Sequence, residues 1–262
     1  MPLLLDFNSP ILLDASIAGG KGANLAKLTQ GGFPVPPGFV LPPEAYRAFL
    51  ANESGFAEHV HALPLEDAAE LEQACQALCA HMARWPVPDA LRGEVETALA
   101  QLGADGAYSV RSSATAEDMG GAAFAGQHDT YLNCIGIDHI LPRIRDCWIS
   151  LWSARAISYR LQAGVGLLDT AMAVVVQKMA FSRVAGVGFC INPVTGNPAE
   201  QSIDANHGLG ESVVGGEYPV DHWLLEKRDG QVKEAVIASK TRQVVADTMG
   251  TRIEPIPQAA AE

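Results

Sequence analysis

Tyr108-Ser-Val-Arg-Ser-Ser-Ala-Thr-Ala-Glu-Asp-Met-Gly-Gly-Ala-Ala-Phe-Ala-Gly-Gln-His-Asp-Thr-Tyr-Leu-Asn133 is the stretch on which the reading of this chain turns. A short β-like run over 107–110 leads into Arg111. Hydroxyls follow at Ser112, Ser113 and Thr115, then Gly120, Gly121 and Gly126, then a second β-like run from Thr130. A strand that opens into a hydroxyl- and glycine-rich loop presents backbone N–H groups and a fixed guanidinium, the equipment that holds a polyphosphate. The same residues also read as a surface hairpin with an exposed arginine, and composition leaves both open.

Outward from this stretch the pattern is α+β, with mixed α and β elements. A helix is expected over 21–30, closed by Gly31, Gly32 and the prolines at 34, 36 and 37, with a strand following over 38–41. Helices are expected over 43–51, 65–83 and 88–102; in the second, Leu71, Ala74, Cys75, Leu78 and Met82 recur at three- and four-residue spacing, as an amphipathic helix requires. Strands are expected over 107–111 and 130–134, and helices over 137–150 and 152–162. Further strands are expected over 172–178, 186–191, 202–204, 222–226 and 235–238. Trp148 and Trp152, four apart, read as core packing. The expected organisation is a mostly helical part (1–105), a mixed β/α part (106–250) and a tail (251–262).

Composition narrows the function classes. The 262 residues are 48% hydrophobic and 18% charged, those of a globular chain with room for a sizeable core. A net charge of −12 argues against a nucleic-acid surface, which needs clustered lysine and arginine. No apolar run approaches the roughly 20 residues of a membrane helix, and no basic-then-apolar leader opens the chain. Five cysteines, Cys75, Cys79, Cys134, Cys147 and Cys190, stand in apolar contexts without zinc spacing, which points to reduced thiols and a cytoplasmic location. A small anionic ligand remains compatible with the acidic balance if a few cations converge locally.

The 108–133 stretch resembles the "VRSSATAED…FAGQ.DTYLN" signature of the phosphoenolpyruvate synthase, pyruvate phosphate dikinase and rifampin phosphotransferase superfamily. Two further blocks agree in order: Gly19-Gly-Lys-Gly-Ala-Asn-Leu25 with Pro34-Val-Pro-Pro-Gly-Phe39, and Asn192-Pro-Val-Thr-Gly-Asn197 with Gly208-Leu-Gly-Glu211. The likeness runs from about residue 15 to about residue 245. It implies an ATP-grasp-like nucleotide-binding region that takes ATP with Mg2+. In such enzymes the β-phosphoryl group of ATP passes to a histidine on a separate domain, and from there to an acceptor.

Five residues fall on nucleotide-contact positions of that family: Lys21, Arg111, Gly126, Thr130 and Gln177. Lys21 follows two glycines at an expected helix start, where backbone donors already favour an anion, although a solvated lysine fits the same pattern. Arg111 is the expected triphosphate clamp, since a guanidinium holds two oxygens at once and keeps its charge. Gly126 permits close backbone approach and Thr130 offers a hydroxyl. Gln177 interrupts an apolar strand; its amide suits an adenine edge or, equally, neighbouring backbone. Glu211 is a weaker candidate that a helix cap explains as well.

None of His59, His61, His81, His128, His139, His207 or His222 lies in the Thr-Ser-His context of the family's phosphocarrier, so no catalytic residue and no metal ligand is assigned. His128, His207 and Met119-Gly-Gly121 depart from the usual wording. Relatives continue to an "EWA"-like and a "LQARP"-like strand carrying metal and phosphate ligands, so the expected region is C-terminally incomplete. The implied partners are ATP and the phosphohistidine and acceptor domains, in the same or a separate chain, with no nucleic acid and no membrane. The resemblance implies a phosphoenolpyruvate synthase-like phosphotransferase part, inactive by itself. A rifampin phosphotransferase-type domain and a non-catalytic nucleotide module are the alternatives.

Overall fold

Asp14 accepts a hydrogen bond from the Ser16 amide at 2.8 Å and so starts the first long helix. The computed structural model describes residues 2–51, 53–114 and 130–256, and the chain forms two units, residues 1–179 and 180–262. The first unit runs β1 (Leu5–Asp6), α1 (Ala15–Gln30), β2 (Gly38–Leu41), α2 (Pro43–Leu50), α3 (Phe56–His61), α4 (Ala68–Met82) and α5 (Asp89–Leu102). It continues with β3 (Ala107–Ala114), β4 (Thr130–Ile135), α6 (Ile137–Ile149), α7 (Ala154–Gln162) and β5 (Met172–Lys178).

Its sheet is antiparallel, in the order β1–β2–β5–β3–β4. The central strand, β5, is buried from Met172 to Val176 on both faces. Ala173 and Val175 pack with Ala18, Ala23 and Ala26 of α1. Met172, Val174 and Val176 join a larger core built from α2 to α7. A strand covered on both sides has no polar face to show, so it reads as an unbroken apolar run.

Helix α4 buries Leu71, Cys75, Leu78 and Met82, the expected stripe. It starts at Ala68 instead of 65 because the Asp67 carboxylate accepts from the Ala69 and Glu70 amides at 2.8 and 2.9 Å. The two tryptophans are core, as expected. Phe49 stacks on Trp148 at 5.3 Å and Phe56 meets Trp152 edge-on at 4.8 Å. Arg160, buried beside them, donates to the carbonyls of Leu151, Ala156 and Leu167 and lies 5.1 Å over Trp152. Carbonyl oxygens and a ring face take the place of a carboxylate there.

The expected strand over 107–111 is longer. β3 continues to Ala114, because Ser112 and Ser113 pair with Val174 and Ala173 of β5. Arg111 therefore sits inside the strand and not at its end. Helix α3 was not expected; at six residues it is too short to show a period.

The second unit, by itself, is an antiparallel sheet in the order β6 (Val184–Phe189), β7 (Glu200–His207), β8 (Asp221–Glu226), β9 (Val232–Val236). It also holds the short helix α8 (Glu211–Val214) and the hairpin β10 (Arg242–Ala246) with β11 (Thr251–Pro255). Residues 251–255, expected as part of a tail, are thus a paired strand. Gly208 has φ +80, and a Cβ there would lie 2.2 Å from the Val244 carbonyl, so the backbones meet only because this residue is glycine. No helix of the described residues is long and apolar enough to cross a membrane.

Candidate functional site

The start of α1 is broken at Gly19, whose φ of +66 and ψ of 168 lie outside the helical region. A side chain there is forbidden twice: by conformation, and because a Cβ would lie 2.2 Å from Ser113 Oγ and 2.3 Å from the Ser113 carbonyl oxygen. Ser113 is fully buried. Its hydroxyl donates to the Ala18 carbonyl at 2.9 Å and accepts from the Gly22 N–H at 3.2 Å. Lys21, half-buried, stands between these anchors in the first turn of the restarted helix. The helix start expected near Lys21 is thus real in kind, although a capped turn from Ala15 precedes it.

Arg111 lies two residues back along β3, on the same face as Ser113, since alternate strand residues share a face. Its register partners are Val175 of β5 and Thr130 of β4. Gln177 faces the same way, opposite Ser109. Arg111 Nη2 donates to Gln177 Oε1, and Gln177 Nε2 donates to the Pro36 carbonyl at 2.9 Å. Gln177 is 7% exposed, so both ends of a buried amide are used. Thr130, by contrast, is exposed at the start of β4.

The electrostatics of Arg111 are unusual. Burial pushes its pKa below the ordinary arginine range, though a guanidinium remains charged at any working pH. Its Nε is buried with no hydrogen-bond partner, and no carboxylate pairs with it among the described residues. A fully buried cation such as Arg160 has several acceptors; Arg111 is only half-buried. Among the described residues, Arg111 has one neutral amide oxygen.

Four of the five expected residues are therefore placed. Arg111, Thr130 and Gln177 share one sheet face, and the backbone on either side of Lys21 is pinned to the same strand. Gly126 lies in 115–129, outside the described residues. Ser113 was read as one of several loop hydroxyls. Its role as a pin was missed because nothing in the string Ser112-Ser113 says which serine turns toward α1.

In the second unit, the resembling blocks serve backbone geometry. Asn192 Oδ1 accepts from the Val194 and Thr195 amides at 3.0 and 3.1 Å, and Asn192 Nδ2 donates to Glu200 at 2.8 Å. Thr251 donates to Glu211 at 2.9 Å. Among the described residues, no group of three or more histidine, cysteine, aspartate or glutamate side chains could hold a metal ion.

The first unit is an α+β fold that sets a half-buried arginine, with no carboxylate partner among the described residues, on the strand that holds a glycine-broken helix. The chain belongs to the family of the pyruvate phosphate dikinase AMP/ATP-binding domain, which matches residues 15–262. It is 38% identical over 94% of its length to a phosphoenolpyruvate synthase of Aeropyrum pernix. It is 39% identical over 98% of its length to a rifampicin phosphotransferase of a Streptomyces species, and 40% over 92% to that of Streptomyces sviceus. The chain covers 31%, 30% and 28% of those relatives, about a third of their length or less.

Proposed function

We propose that this chain binds ATP, as its magnesium complex, for a dikinase-type phosphotransferase of the phosphoenolpyruvate synthase kind. Arg111 clamps the triphosphate, with Lys21 and Gly126 on the phosphates, Thr130 giving a hydroxyl and Gln177 at the base end. The observation that supports this reading is the half-buried Arg111, whose buried Nε has no hydrogen-bond partner and whose guanidinium meets, among the described residues, only the neutral amide of Gln177. The metal enters with the nucleotide, since magnesium is commonly held by substrate phosphates and few protein groups.

Holding the reacting phosphates in place and neutralising their charge is most of what a protein contributes to phosphoryl transfer. In this reading the chain supplies that, does not turn over by itself, and passes the phosphoryl group to a histidine on a separate domain or chain. Five free thiols support a cytoplasmic setting. Calorimetric titration of magnesium-ATP into the chain, beside Arg111→Ala, tests the site. The expected result is binding that the substitution reduces by at least about a hundredfold, as loss of a charge-assisted bidentate contact would. Unchanged affinity in Arg111→Ala refutes the assignment.

The acceptor has a second reading. Identity to the rifampicin phosphotransferases, 39% and 40%, is close to the 38% to the synthase. An antibiotic hydroxyl is then the alternative to pyruvate. Phosphorylation assays of the whole gene product with each acceptor distinguish them.

A further inference from the structure

We propose that Ser113 is the positioning residue that sets where the Lys21 ammonium meets the nucleotide phosphates, an inference that rests on the nucleotide reading above. Its hydroxyl has no proton left to donate to a phosphate: the proton goes to the Ala18 carbonyl and a lone pair takes the Gly22 N–H, at 2.9 and 3.2 Å. Both contacts bracket Lys21. The first amides of a helix lack intrahelical acceptors. With Gly19 out of helical conformation, the Gly22 amide finds its acceptor on β3. The pin therefore decides at which residue α1 restarts, and Lys21 is the only ionisable side chain between its two anchors.

Size complementarity belongs to the same device. Gly19 leaves room for the Ser113 hydroxyl, and Ser113 keeps the helix start two residues from Arg111 on a shared face. Ser112 pairs with the next β5 residue but faces the opposite way, so one serine of the pair holds the helix. Ser113 acts through Lys21 and touches no phosphate.

A double-mutant cycle on the full chain tests this, with magnesium-ATP as the probe and Arg111→Ala as the marker of the site itself. Ser113→Ala removes one oxygen and adds no volume. It is expected to weaken magnesium-ATP about tenfold, the scale of losing a buried hydrogen bond to a contact's support. In a Lys21→Ala background the same change is expected to have no further effect, because the residue it positions is gone; a merely structural loss would instead add. Independently of ligand, hydrogen exchange at the Gly22 amide is expected to accelerate in Ser113→Ala, while the amides of residues 25–29 keep their protection.

Additive losses, an unchanged Gly22 amide, or magnesium-ATP affinity untouched by Ser113→Ala while Arg111→Ala abolishes binding each overturn the positioning role alone. Absence of magnesium-ATP binding by the parent chain, or indifference to Arg111→Ala, overturns the nucleotide reading and the positioning role with it.

Discussion

Replacing Gly19 by alanine tests the contact on which the site is built. The Cβ would sit 2.2 Å from Ser113 Oγ and 2.3 Å from the Ser113 carbonyl oxygen. The hydroxyl could rotate, but the carbonyl belongs to a strand paired to β5 at Ala173 and cannot withdraw without breaking the sheet. Backbone strain at this φ and ψ contributes about 1–3 kcal/mol. Overpacking of a filled contact contributes about 1–3 kcal/mol more. The expected loss is roughly 2–6 kcal/mol, from a total stability on the order of 5–15 kcal/mol. Gly32→Ala is the control: its φ is +78, but nothing lies within 4 Å of the added carbon. That substitution carries the left-handed cost alone, about 1–2 kcal/mol. Urea unfolding followed by tryptophan fluorescence reads chiefly the first unit, which holds Trp85, Trp148 and Trp152. With a slope of about 2 kcal/mol per molar urea, each further 2 kcal/mol lowers the midpoint by about 1 M. Equal midpoint shifts for the two variants would refute the close approach, and with it the idea that α1 is held against β3.

Side-chain placement elsewhere in the chain sets three further outcomes. Gln177→Glu sets a carboxylate against Arg111 and should weaken magnesium-ATP by at least about tenfold in calorimetry, because the guanidinium then has an internal anion; unchanged affinity would mean that Arg111 does not meet the phosphates. Burial pushes the Cys79 and Cys134 thiols up to about 11, above the ordinary thiol value of 9.0, so both favour the folded state below pH 9 and that contribution disappears as pH rises through about 11. Urea midpoints should fall across that window, and near neutral pH a disulfide reagent should modify exposed Cys190 well before the other four thiols.

Much of this architecture was legible because burial leaves a local trace. β5 announces itself as an apolar run, and α4 by Leu71, Cys75, Leu78 and Met82 at helical spacing. What stayed hidden depends on partners far along the chain. Ser112 and Ser113 look like loop residues until β5 pairs with them. β10 and β11 are short, and only their mutual pairing makes them strands. The Arg111 position was readable from its motif, yet its neutral neighbour was not. Gln177 lies 66 residues away, and only the register of β3 against β5 brings the two side chains together. Gly19 was legible as a helix opener but not as a residue excluded from bearing a side chain by a particular serine.

The place of β5 also bears on how the chain is made. β2 and β3 each lie beside β5 and not beside one another. A chain made only as far as residue 171 has the edges of β2 and β3 without the strand that joins them. Those edges can pair with other chains while they wait. The sheet closes when residues 172–178 arrive, and that closure brings Gln177 to Arg111. Completion of the first unit's sheet and the meeting of Gln177 with Arg111 are one event.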